Sequence, residues 1–312
     1  MKKIVALTIN PAIDKSARID HVVAERKLYC TDPHFEPGGG GVNVARAIKK
    51  LGGSSRLLYA AGGYTGNRLE ELLAEEGLDQ RRIPITGMTR ESLAVLEEAT
   101  GLQYRFGMPG PTLHPEEWLQ CLKEVSALDP PPDYLVASGS LPPGIPTDAY
   151  AQVAKIGKEH GARVIVDVSG DALKEALGEG VYLIKPNIRE FKELSGKDVK
   201  EELELEAEAL EMVRKGWCEV LVISLGSAGA LLVSAENTEH IRPPTVPIIS
   251  KVGAGDSMVA GLVLQLARGA SLREACYFGV ASGAAAVMTP GSELCRREDA
   301  ERLYAKIIKK SE

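Results

Sequence analysis

The sequence predicts a doubly wound α/β protein, with a mostly parallel central sheet and a small β-rich excursion outside it. Three observations carry this. Runs such as Leu221-Val222-Ile223 are apolar throughout, as in strands covered by helices on both faces. From residue 134 onward such runs alternate with stretches of helical periodicity. Polar or Gly-rich loops follow the strands, at 10–14, 139–144, 185–187, 224–226 and 253–256. In an open parallel sheet these loops gather at the carboxyl ends of the strands, where ligands bind.

Taken in order, residues 3–9 read as a buried strand stopped by Asn10 and Pro11. Residues 15–36 mix Arg18, Asp20, Glu25 and Arg26 with the β-formers Val22, Val23 and Tyr29, which predicts exposed strands. Four glycines, Gly38 to Gly41, then open a helix with Val44, Ile48 and Leu51 on one face. Ordering four glycines is costly, and it makes sense where something approaches that backbone closely. A strand at 55–60 and a helix at 66–76 follow. Residues 85–108 again read as exposed β-structure, with Leu93 and Val95 alternating against Glu97 and Glu98, and Arg90 and Arg105 among them. The prolines at 130–132 stop a helix and lead into a strand at 134–138. Strands at 163–168, 181–184 and 220–224 then alternate with helices at 148–160, 171–177, 188–195 and 201–215. The chain reads as one α/β domain over 1–312, with 15–36 and 88–108 as its β-excursion.

A net charge of −6 and a pI near 5.6 argue against nucleic acid as the main partner, though not against an anionic ligand held by local cations. The five cysteines are odd in number and scattered, so neither a disulfide framework nor a zinc site is expected, and a reducing compartment fits. Lys2 and Lys3 before an apolar run imitate a signal peptide, but the run is short and meets Asn10, Pro11 and Asp14. No apolar stretch approaches membrane-spanning length. A soluble, cytoplasmic protein is expected.

Chemistry concentrates at Gly253-Ala254-Gly255-Asp256, which opens an amphipathic helix with Met258, Val259, Leu262, Val263 and Leu266 on one face. Unpaired N–H groups and the helix dipole there favour an anion, phosphate above all. Asp256 reads either as a helix cap or as a carboxylate that takes a proton from an attacking hydroxyl. There is no P-loop, no dinucleotide fingerprint after the first strand, no nucleophile elbow, and no metal or triad spacing among the five histidines. Hydride transfer and serine hydrolysis lose ground, and phosphoryl transfer to a small hydroxyl compound fits. A non-catalytic sensor of a sugar phosphate or nucleotide is the alternative from another class.

Residues 38–47, Gly-Gly-Gly-Gly-Val-Asn-Val-Ala-Arg-Ala, resemble the N-terminal signature of the ribokinase-like (PfkB) sugar kinases, and residues 252–261 resemble their C-terminal signature. The resemblance covers essentially the whole chain. Within the family, stretches 103–110, 138–144 and 185–187 look like the bacterial fructose-6-phosphate kinases that lack a P-loop. The implied reaction is ATP-dependent phosphorylation of fructose 6-phosphate at its 1-hydroxyl. Fructose-1-phosphate and tagatose-6-phosphate kinases share most of these features.

The resemblance implies Asp256 as the base, with the N–H groups of Gly253, Ala254 and Gly255 on the transferring phosphoryl. Asp14, Gly39, Gly40 and Asn43 would hold the sugar hydroxyls. Lys27, Arg90 and Arg105 would meet the substrate's own phosphate, assisted by Ser140. Lys185, Asn187, Ser224, Gly226 and Gly229 would bind ATP, and the small-residue helix 279–286 would leave room for adenine. Asn187 and Glu190 resemble the family's Asn-x-x-Glu, which implies Mg²⁺ organised largely through water. Many members bind a monovalent cation, and the resemblance places its ligands at Ser250, Val252, Ala286 and Gly291, with contacts near Thr289 and Glu293. Two positions depart from the pattern: Lys251-Val252 stands where many relatives carry Thr, and Glu293 where a basic residue is expected. K⁺ activation is expected to persist, with Glu293 compensating for a changed charge. The β-excursion takes the family's role of a lid that closes over the sugar. Its exposed strands predict a homodimer through the lid, with Lys27 serving the neighbouring subunit's site.

Overall fold

The computed structural model describes residues 1–311, with side chains described through Lys309. In chain order the strands are β1 (Ile4–Thr8), β2 (Ala12–Ile19), β3 (Thr31–Gly38), β4 (Arg56–Ala61), β5 (Asp79–Pro84), β6 (Arg90–Glu97), β7 (Leu102–Phe106), β8 (Tyr134–Ser138), β9 (Arg163–Asp167), β10 (Val181–Ile184), β11 (Cys218–Ser224), β12 (Ala230–Ser234) and β13 (Thr238–Ile241). The helices are α1 (Gly40–Lys50), α2 (Gly63–Glu75), α3 (Pro115–Ser126), α4 (Ala149–Glu159), α5 (Asp171–Leu177), α6 (Ile188–Ser195), α7 (Glu202–Arg214), α8 (Ala254–Arg268), α9 (Leu272–Ala286) and α10 (Arg297–Ser311).

Among the described residues a nine-stranded sheet runs in the order β13-β12-β11-β10-β9-β8-β1-β4-β5. Its pairs from β5 to β11 are parallel, and only the β11-β12-β13 edge is antiparallel. The uniformly apolar strands follow from coverage on both faces. Trp118, Tyr150, Leu173, Phe191 and Leu205 of α3 to α7 pack on one side, and Ile48, Val263, Phe278 and Leu303 of α1, α8, α9 and α10 on the other. The chain order reverses beside β1, which lies between β8 and β4, and this switch point is where an open α/β sheet leaves a crevice.

A separate four-stranded sheet, β3-β2-β6-β7, stands over that crevice. It is the β-rich excursion, and its central pair β2-β6 is parallel. The expected alternation of Leu93 and Val95 against Glu97 does not hold. The three residues share one face by strand period, and Glu97 is buried, accepting hydrogen bonds from the Val22 N–H (2.7 Å) and Thr100 Oγ1 (2.6 Å). The 20–30 segment folds back to supply that donor, so a carboxylate is paid for inside the small sheet. No helix among the described residues is long and apolar enough to cross a membrane.

Candidate active site

Two helix N-termini meet above the ends of β1 and β8. Gly39 (φ 105°) precedes α1 and Gly253 (φ 71°) precedes α8, both in the left-handed region that favours glycine. Neither helix has a side-chain cap, so the first-turn N–H groups keep their hydrogen-bonding capacity for a ligand. A cavity of about 430 Å³ lies between these termini and the small sheet. Asp14, Arg90 and Arg105 line its sheet side, Gly39, Gly40 and Asn43 its α1 side, and Val252, Gly253 and Asp256 its α8 side.

Asp256 is the third residue of α8 and does not cap it. Its Oδ2 instead accepts a 2.8 Å hydrogen bond from Asn43 Nδ2 of α1. Burial, reinforced by the Asp167 carboxylate, raises the Asp256 pKa from 3.8 to about 6, against the opposing pull of Asn43 and Lys185. That value suits a general base working near neutral pH. Asn43 Oδ1 is buried without a hydrogen-bond partner, an acceptor suited to a hydroxyl from a ligand in the cavity. Burial also raises the pKa of Asp14, although Arg90, Arg46 and Arg105 oppose it. The Arg90 guanidinium, its own pKa lowered by burial, donates to the carbonyls of Asn10 (3.1 and 3.3 Å) and Met108 (3.2 Å). The Asn10 amide donates in turn to Ser140 Oγ (3.1 Å), so Asn10 ties Ser140 to Arg90 of the cavity wall, and Ser140 itself does not line the cavity.

Beside this cavity, Lys185 is 7% exposed and its Nζ lies 3.2 Å from Asp167 Oδ1 at the end of β9. Burial works against its charge, but Asp167, Asp256 and Glu190 outweigh it and raise the lysine's pKa. Asn187 caps α6: its Oδ1 accepts from the N–H groups of Arg189 (2.9 Å) and Glu190 (3.0 Å), while Glu190 Oε2 accepts from the Asn187 N–H (2.8 Å). The Asn-x-x-Glu pair is therefore a capping box, which fixes both side chains at one helix start and leaves Glu190 Oε1 outside the box. Such a set of oxygen donors fits a hydrated Mg²⁺. Ser224 pairs with Asn187 across a parallel bridge, and Gly226 and Gly229 bound the turn that follows β11.

The expected cation ligands lie on two loops joined by hydroxyls. Ser250 Oγ donates to the Gly291 carbonyl (3.0 Å) and accepts from the Val252 N–H (3.2 Å). Thr289 Oγ1 meets the Ala286 and Leu294 carbonyls, each at 2.8 Å. Neutral hydroxyl and carbonyl oxygens are a donor set that fits K⁺. Glu293 lies in the second of these loops and lines one cavity with Ser250 and Gly291. Arg296 holds its carboxylate through Nε (2.7 Å) and Nη2 (3.2 Å). Lys251 is exposed.

Lys27 is also apart. It is exposed between β2 and β3, with Nζ 5.0 Å from the Tyr29 ring centroid, and it does not line the cavity.

Sequence reasoning missed three contributors. Asp167 faces Lys185 and bears on Asp256, and the signal available was an acid at the end of an apolar strand. Asn10 connects Arg90 to Ser140. Arg46, 2% exposed on the buried side of α1, clamps Glu76 with bonds of 2.6–2.9 Å and donates to the Pro37 (2.9 Å) and Ser292 (3.1 Å) carbonyls. Glu36 completes this knot by accepting from Ser292 Oγ (2.7 Å) and N–H (3.2 Å), which fastens the end of β3 to the loop after α9.

Residues 3–299 match the model of the pfkB family carbohydrate kinases. The ATP-dependent 6-phosphofructokinase isozyme 2 of Mycobacterium tuberculosis (strain H37Rv) is 43% identical over 302 residues, covering 97% of this chain and 89% of its own. The protein of the same name from Escherichia coli K12 is 43% identical over 306 residues, 98% of this chain and 99% of its own. The 1-phosphofructokinase of Bacillus subtilis stands lower, 31% identical over 305 residues, 97% of this chain and 98% of its own. Crystal structures of Escherichia coli phosphofructokinase-2 in complex with potassium and with fructose-6-phosphate superpose with TM-scores of 0.95 and 0.93, at 42% and 41% identity, each covering 99% of this chain and 100% of the other.

Proposed function

This chain belongs to the pfkB family of carbohydrate kinases, and from that premise we propose that it transfers the γ-phosphoryl group of ATP to the 1-hydroxyl of fructose 6-phosphate, giving fructose 1,6-bisphosphate. The observation that carries the reading is the Asn43–Asp256 hydrogen bond, which holds a carboxylate of pKa about 6 between two open helix N-termini inside an arginine-lined cavity.

In this reading Asp256 takes the proton of the 1-hydroxyl, and the N–H groups of Gly253, Ala254 and Gly255 meet the charge on the transferring phosphoryl. Losing one donor of this kind typically costs about 10²–10³ in kcat. Asn43, Asp14, Gly39 and Gly40 hold the sugar, Asn43 using its unpaired Oδ1. Arg90 and Arg105 meet the 6-phosphate with Ser140 in support, and Lys27 reaches a neighbouring subunit's site. Lys185, Asn187, Ser224, Gly226 and Gly229 hold ATP. Asn187 and Glu190 hold Mg²⁺ through water, which supplies charge neutralisation at the phosphates. Ser250, Val252, Ala286 and Gly291 hold K⁺, a reading supported by the potassium complex of the Escherichia coli relative.

The small sheet acts as the lid over residues 15–36 and 88–108 of a single α/β domain. A homodimer forms through its outer face, where Phe35, Lys15, Leu93 and Phe106 align across all four strands with both phenylalanines about half exposed. Five free cysteines fit the cytoplasm. The test is kcat/KM with Mg-ATP for fructose 6-phosphate, tagatose 6-phosphate and fructose 1-phosphate. The highest value is expected for fructose 6-phosphate. A preference for either rival replaces the substrate, and turnover of none favours the non-catalytic sensor.

A further inference from the structure

Far along the sheet from the cavity, the antiparallel edge carries a second convergence of chemistry. Glu202 and Glu206 stand four residues apart on α7, hence on one face of that helix. His240 comes from β13 and points between them, its Nε2 lying 3.0 Å from Glu202 Oε1 and 3.2 Å from Glu206 Oε1. That nitrogen is sealed from solvent, yet it makes no hydrogen bond. With oxygens this close, neither can lie along the ring N–H direction. The three ligand atoms all fall within 4.8 Å of one another.

We propose that Glu202, Glu206 and His240 form a divalent transition-metal site that pins α7 to the β12-β13 edge. Two donors bound to one ion at about 2.0–2.2 Å, at angles between octahedral and tetrahedral, stand roughly 2.8–3.6 Å apart. The 3.0 and 3.2 Å separations fall inside that window. An imidazole with two carboxylates selects Zn²⁺ over Mg²⁺, which favours all-oxygen surroundings, and binds Zn²⁺ more tightly than Mn²⁺. Among the described residues, the cation paired with this cluster is Arg242, whose Nη2 lies 3.7 Å from Glu202 Oε1 and whose side chain is mostly exposed, so an ion can displace it. Leu225 and Ala228, in the turn after β11, line the same cavity as Glu202 and His240, which places the site on the outer side of the turn proposed to hold ATP, and none of the three ligands lines the cavity between α1 and α8.

The test is Zn²⁺ titration of the chelator-stripped full-length protein, with exposed Cys30 changed to Ser so that no surface thiol binds the ion. One Zn²⁺ per chain and a rise in Tm are expected. His240→Gln and Glu206→Gln should each weaken Zn²⁺ binding by more than about tenfold and remove the rise in Tm. Both variants should keep the far-UV circular dichroism and the Mg-ATP turnover of the parent. Equal Zn²⁺ affinity in parent and variants, or no uptake by the parent at submillimolar Zn²⁺, overturns the site and leaves a His–Glu ion pair in its place.

Discussion

Asp256→Asn should slow the enzyme and stabilise it at the same time. Burial moves this carboxyl from 3.8 to about 6, so the folded protein holds its proton more tightly than the unfolded chain does. The stability contributed by this group is fully present below about pH 4 and is lost as pH rises through about 6. At about 1.4 kcal/mol per pH unit, the ionised carboxylate costs the folded state about 3 kcal/mol at pH 7.5 and about half of that at pH 5. An amide at position 256 still accepts the Asn43 bond and carries no charge to desolvate. The variant should therefore melt up to about 6 °C higher at pH 7.5, with a smaller gain at pH 5. Loss of the base should lower kcat by about 10²–10⁴. Calorimetry at the two pH values and initial rates at saturating Mg-ATP and fructose 6-phosphate measure both effects. Near-normal kcat removes Asp256 as base. A Tm gain that is absent at pH 7.5, or equal at both pH values, refutes burial as the cause of the shifted pKa.

Four further outcomes are expected. Asn43→Ala removes a hydrogen bond to the ionised carboxylate, worth about 1.5 kcal/mol or more, and should move the acid limb of kcat/KM up by about one pH unit. The substrate phosphate titrates near the same pH in both proteins, so an unmoved limb sinks the assignment. Lys185→Met leaves Asp167 as an uncompensated, 14%-exposed charge and should destabilise by about 3 kcal/mol. Adding Asp167→Asn should restore Tm but not the KM for ATP, and joint recovery would show that Lys185 acts only as a structural counter-ion. Turnover should rise in K⁺ over Na⁺ or tetramethylammonium, and equal rates in all three remove the cation site. The wild type should sediment as a dimer that Phe35→Asp with Phe106→Asp dissociates, and a wild-type monomer at assay concentration refutes the lid interface.

What was legible in the sequence was whatever a single element states about itself. The apolar strands from β8 to β11 declare burial on both faces, and the glycines before α1 and α8 declare helix starts that a ligand approaches. The strands that escaped notice lie toward the sheet's two ends. β5 carries Arg81, Arg82 and Pro84, and β12 with β13 is a short hairpin, so neither offers the long apolar run of a central strand. α10, with charged residues on most of its surface, was equally silent. The chemistry divides the same way. Asp256 and Lys185 could be picked out as types at strand or helix ends, but their properties belong to pairs. Asn43 meets Asp256 across 213 residues, and Glu36 meets Ser292 across 256.

Glu190 shows why the local and long-range readings need each other. The Asn-x-x-Glu spacing alone states a capping box, a device that any helix uses. It acquires chemical meaning only because Lys185 directly follows β10, two residues before the box, and the parallel pairing of β9 and β10 brings Asp167 against that lysine. A helix cap, a buried cation and a strand-end carboxylate are each ordinary. Held together at one sheet edge, with Asp256 close enough for Asp167 and Lys185 to act on its proton affinity, they form an electrostatic setting in which one carboxylate stays poised near neutrality while its neighbour stays paired.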